Sequence, residues 1–122
     1  MIDTHVIISL FHILAVVPFF AYIFLKKSTI PEWVYTLLLS LGVFVLLYHA
    51  YKSFIRYRAK SSYLWVNMIH VLVVAPIMIY IGYKKKSTPR AAYEILALIT
   101  FAALGYHCYS IISILDSKEL AD

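Results

Sequence analysis

Charge is scarce in this chain of 122 residues: 14% of them are Asp, Glu, Lys or Arg, where an ordinary soluble domain carries about 25%. Cysteine is nearly absent, and the single Cys108 excludes an internal disulfide framework and any Cys-based metal centre; it reads as a small apolar helix residue. Glycine occurs only three times, leaving no Gly-rich phosphate loop. No H-E-x-x-H and no Ser-His-Asp arrangement is present, which argues against hydrolytic catalysis. Acidic residues number six, with none at matching positions inside the apolar stretches, so a carboxylate-lined path for divalent cations is disfavoured.

What fills the chain instead is apolar: 63% hydrophobic residues and a mean hydropathy of +0.84. Cutting at the Lys/Arg clusters leaves four stretches, about Val6–Leu25, Glu32–Ile55, Tyr63–Tyr83 and Ala91–Leu115. Each approaches the ~20 residues that a helix needs to cross ~30 Å of hydrocarbon. None alternates as a barrel strand does, and backbone facing lipid must satisfy its hydrogen bonds internally, so the spans are expected to be α-helices. Asp3 stands where a cleaved leader would carry Lys or Arg, and no small-residue cleavage site follows, so the first span reads as a retained helix. Net charge is +5, but the cations flank the spans at headgroup level rather than forming a face for nucleic acid.

The chain repeats itself. Shifted by 58 positions, His12–Tyr51 aligns with His70–Tyr109 without a gap, and 15 of the 40 pairs are identical. They include His12/His70, Pro18/Pro76, Lys26-Lys27/Lys84-Lys85, Pro31/Pro89, Tyr35/Tyr93, and Tyr48-His49-x-Tyr51 with Tyr106-His107-x-Tyr109. Each copy holds two spans, so both enter the bilayer from the same side, as parallel repeats do. The expected fold is an all-α integral membrane bundle of four transmembrane helices, with a pseudo-twofold axis along the membrane normal. It forms one domain over residues 1–122, with repeats at about 5–58 and 63–116 and a fraying polar tail over 117–122. Lys26–Ile30 and Lys84–Thr88 read as short turns, Pro31 and Pro89 as helix-opening prolines with Thr88 as an N-cap, and Pro18 and Pro76 as kinks. Glu94 is expected to pair with Arg90 at i, i+4, and Trp33 and Trp65 to anchor at the interfaces.

Both termini fall on one side of the bilayer. That face carries five basic residues (Lys52, Arg56, Arg58, Lys60, Lys118) and the other six (Lys26, Lys27, Lys84, Lys85, Lys86, Arg90), a margin too small for the positive-inside rule to set orientation.

Histidines carry the functional expectation. At ~1.5 Å per residue, His12, His49, His70 and His107 all sit ~10–12 Å below the same face, where ionisable groups are costly and turn towards partners. Ser9 and His12, and Asn67 and His70, share helix faces; so do Tyr35, Gly42 and His49, and Tyr93, Thr100 and His107. Two readings follow. In the first, the four histidines form a proton or cation relay in a small channel or carrier, extended by Tyr48 and Tyr106, because imidazole titrates near ~6.5 and both donates and accepts. In the second, a diagonal pair (His12 with His70, or His49 with His107) holds haem b, or the four nitrogens hold a metal. Propionates would then reach Lys52, Arg56 or Arg58, with room beside Ala102, Ala103 and Gly105. The plain alternative is a non-catalytic assembly protein whose histidines stitch helices together. A unit this small is expected to self-associate to enclose a pore.

Overall fold

The computed structural model describes residues Asp3–Ala121. All of its regular structure is helical. Four helices are long and apolar enough to cross a membrane: α1, Thr4–Thr29; α2, Glu32–Arg58; α3, Leu64–Ser87; and α4, Arg90–Ala121. Each extends past its apolar stretch at one end or both, where the flanking residues include Lys, Arg and Ser. The tail expected to fray is helical as far as Ala121, with the Ser117 hydroxyl donating to Ile114 O at 2.9 Å; Asp122 lies outside the described residues.

Helix boundaries follow local chemistry. At the start of α1 the Asp3 carboxylate accepts from His5 N at 2.7 Å, occupying one of the four orphan donors of a helix N-terminus. Pro31, with ψ 151, is the residue just before α2. Thr88 does not cap α4. Its hydroxyl donates to Lys85 O at 2.6 Å and is 3.3 Å from Ile81 O, satisfying carbonyls at the end of α3, where orphan acceptors rather than donors accumulate. The expected Arg90–Glu94 pair is present, with Nε 3.0 Å from Oε1.

Pro18 and Pro76 act differently from a simple kink. Proline cannot donate to the carbonyl four residues earlier, and in both helices the ladder widens just upstream. π-helical segments span His12–Val16 and His70–Val74. Val17 N bonds His12 O and Ala75 N bonds His70 O, each five residues apart. Both π segments begin on a histidine.

The chain divides into two compact units, Met1–Leu25 with Ala97–Asp122, and Lys26–Leu96. The first pairs α1 with most of α4, antiparallel: Ser9 and His12 meet His107, while Phe24 meets Phe101. The second is the α2–α3 hairpin with both short connections and the start of α4. Two glycines let its helices approach closely. A Cβ on Gly82 would lie 2.6 Å from Leu39 N and 2.7 Å from its Cα, and one on Gly42 would lie 2.9 Å from Ile79 Cγ1. Around this contact Leu38, Tyr35, Ile81 and Ala75 are wholly buried. Long apolar side chains elsewhere point outwards, Leu14, Leu98 and Phe101 among them.

Candidate functional site

Within each unit two histidines from different helices stack face to face. In the α1–α4 unit the rings of His12 and His107 lie 4.3 Å apart with an interplanar angle of 18°. In the α2–α3 unit those of His49 and His70 lie 4.1 Å apart at 14°. The residues are related by the same 58-position shift, with partners exchanged. The touching pairs are thus not the diagonal ones expected for haem. Rings stacked at this distance leave no space for a porphyrin between them. Among the described residues, no group of three or more His, Cys, Asp or Glu side chains is placed to hold a metal ion.

Hydrogen bonds fix the protons of the α2–α3 pair. His70 Nδ1 is 2.6 Å from Val66 O; a carbonyl only accepts, so Nδ1 carries the hydrogen and a neutral ring has its lone pair on Nε2. His49 is held the other way. Arg56 Nη1 donates to Asn67 Oδ1, and guanidinium has no acceptor, so the amide orientation is set. Asn67 Nδ2 then donates to His49 Nδ1 at 2.8 Å. That leaves the neutral His49 ring with its hydrogen on Nε2. Two parallel imidazoles of opposite tautomer therefore stand side by side, one presenting an N–H and the other a lone pair.

The second pair is a variation on this. His12 Nδ1 donates to Ile8 O at 2.8 Å, matching His70. His107, 7% exposed, has Nδ1 3.1 Å from Ser9 Oγ. A serine hydroxyl can give or accept, so this ring is compatible with either tautomer. Ser9 and Asn67, the polar residues that helical spacing put on the histidine faces, are both buried. Each serves the histidine on the neighbouring helix rather than the one on its own.

Other expected contributors fall elsewhere. Tyr48 is exposed and meets His49 edge-on at 5.1 Å; Tyr106 does the same to His107 at 5.1 Å. Thr100 is buried on α4. Tyr35 and Tyr93 lie far from the histidines, since Tyr35 precedes His49 by about four turns, ~21 Å of helix. Their hydroxyls are 2.9 Å apart, and Tyr35 donates to Lys27 O at 3.1 Å. Having spent its one hydrogen there, Tyr35 must accept from Tyr93. This chain ties the α1–α2 connection to α4. Tyr35→Phe should cost about 1–3 kcal/mol, because it strands the buried Tyr93 hydroxyl and the part-buried Lys27 carbonyl at once. Tyr93→Phe, which leaves Tyr35 bonded to the carbonyl, should cost less, and chemical unfolding in mixed micelles would rank the two. Arg56, expected near haem propionates, was the residue whose role sequence reasoning missed: it lies seven residues beyond His49, on the same face, and reaches Asn67.

Set against known proteins, the chain matches no family model, no curated protein and no solved structure.

Proposed function

We propose that this chain is an integral membrane protein of two tandem hairpin repeats that passes protons, with the stacked histidine pairs as its proton-accepting stations. The observation that carries the reading is the stacked His49–His70 pair, whose Nδ1 atoms bond an amide donor on one ring and a carbonyl acceptor on the other. A proton taken up at the lone-pair Nε2 of His70 makes one imidazolium, and release of a proton from that same nitrogen restores the neutral ring, while His49 Nε2–H stays in place as a hydrogen-bond donor. Apolar residues exposed along all four helices, Leu14, Phe44, Leu72 and Leu98 among them, support lipid as the surrounding medium, and self-association would complete a pore.

The test is proton flux into vesicles carrying a trapped pH-sensitive dye. The wild-type chain should dissipate an imposed gradient, and a variant with His12, His49, His70 and His107 all changed to Gln should return the rate to that of empty vesicles. Equal rates in the two proteins would sink the proposal.

One observation favours a haem reading as second. The Nδ1–H···O=C bonds of His12 and His70 orient Nε2 as the bonds of metal-ligating histidines do. Ligation would require each ring to leave its stack. A Soret band that shifts on dithionite reduction, and vanishes in a His12→Ala/His70→Ala double variant, is what this reading demands of protein expressed with ample haem.

A further inference from the structure

The two short connections, Lys26–Ile30 and Lys84–Thr88, begin with the same lysine pair, yet their surroundings differ in charge. Lys85 Nζ lies 3.1 Å from Glu32 Oε2, a cation answered by an anion. Shifted by 58 positions, Lys85 corresponds to Lys27 and Glu32 to Arg90, so the same exchange of partners sets cation beside cation. Lys27 and Arg90 indeed line one shallow cleft of about 380 Å³, with Ser28, Lys86, Thr88 and Tyr93. Three cations face this opening and no acid lines it. Glu94 engages Arg90 Nε, but that pair is exposed on both sides and offsets little.

The cleft is also held in shape. Lys27 and Lys85 adopt positive φ values of 50 and 53, which cost a non-glycine residue ~1–3 kcal/mol each. The Tyr93–Tyr35–Lys27 chain and the Thr88 hydroxyl on Lys85 O keep both turns in place. Like charges gathered on a fixed frame favour an anion whose several oxygens can meet ammonium and guanidinium together, as phosphate does.

We propose that this cleft binds the phosphate of an anionic lipid headgroup. This rests on the membrane reading, under which the ends of α1 and α3 and the starts of α2 and α4 lie at headgroup depth, where basic pockets select anionic lipids.

The experiment reconstitutes the full-length chain into phosphatidylcholine vesicles doped with phosphatidic acid, then counts lipids retained by native mass spectrometry. Wild type should retain phosphatidic acid over phosphatidylcholine. Arg90→Glu, which restores the ion-paired arrangement of the other copy, should lower that preference ~10-fold or more, and Lys27→Gln ~5-fold. Lys118→Gln, on the tail, should leave it unchanged, and helical circular dichroism checks that each variant is folded. Equal retention of the two lipids, or a preference untouched by both cleft variants, overturns the proposal. Displacement of the lipid by millimolar inorganic phosphate would overturn the lipid assignment and identify a soluble phosphate as ligand. Alkaline carbonate extraction separates the failures: protein released to the supernatant overturns the membrane reading as well, whereas protein kept in the pellet without lipid preference overturns only this one.

Discussion

Gly82→Ala should destabilise the α2–α3 hairpin by about 2 kcal/mol, although alanine is the better helix former. Replacing a helical glycine by alanine ordinarily gains ~1 kcal/mol. Here the added methyl would sit 2.6 Å from Leu39 N and 2.7 Å from its Cα, and backbone atoms of a neighbouring helix cannot swing aside as a side-chain tip can. The helices must separate, at the upper end of the ~1–3 kcal/mol that overpacking costs. Gly105 supplies the control, since a Cβ there meets nothing within 4 Å among the described residues. Gly105→Ala should therefore show the propensity gain alone. Opposite shifts in unfolding midpoint in mixed micelles would establish the close approach; parallel shifts would show that the helices are not so near.

Replacing Asn67 by Leu should slow proton flux and weaken the same hairpin. Asn67 is 2% exposed and is the link between Arg56 and His49. Leucine matches its size roughly but removes the amide that accepts from the part-buried Arg56 guanidinium and donates to His49 Nδ1, at a cost of about 1–3 kcal/mol. Without the amide, the hydrogen bond that assigns the His49 tautomer is lost. Asn67→Ser is the informative companion, because serine is what the other copy carries at position 9. It should slow flux less than leucine does, because a hydroxyl still offers His49 Nδ1 a partner while holding the tautomer less firmly, which nitrogen-15 chemical shifts of the imidazoles would report. Flux unchanged in Asn67→Leu would mean that the tautomer of His49 has no bearing on transport.

Composition alone specified much of the architecture. Four long apolar runs pointed to four helices long enough to cross a membrane, which the structure has, and their lengths placed the boundaries within a few residues, apart from the helical tail. The polar seam was also legible: Ser9, Asn67, Thr100 and His107 share helical faces by spacing, and all four are buried. Partner choice was not. Spacing along one helix says which side chains share a face but not which neighbouring helix that face meets, so the stacks His12–His107 and His49–His70 could not be told from the diagonal pairs. Tyr35 and Tyr93 fell in the same heptad line as the histidines and were grouped with them, though two heptads of helix separate the groups. The role of Thr88 was misassigned because a threonine between two helices can serve either end, and only geometry shows which carbonyls or amides lie within its reach.

The π segments at His12–Val16 and His70–Val74 carry a consequence for the chain's tolerance of length change. A turn closed by bonds to the fifth residue holds one residue more than an α-turn, and each residue of an α-helix advances the face by ~100°. Removing one residue from an ordinary stretch of α1 would rotate everything beyond it away from its neighbours. Removing one from inside a π segment closes the widened turn with the downstream faces in place, leaving only the bond that Pro18 or Pro76 cannot make. These two helices thus carry a spare residue beside each histidine, and single deletions at Ala15 or Val73 are the places where the chain can shorten without losing register.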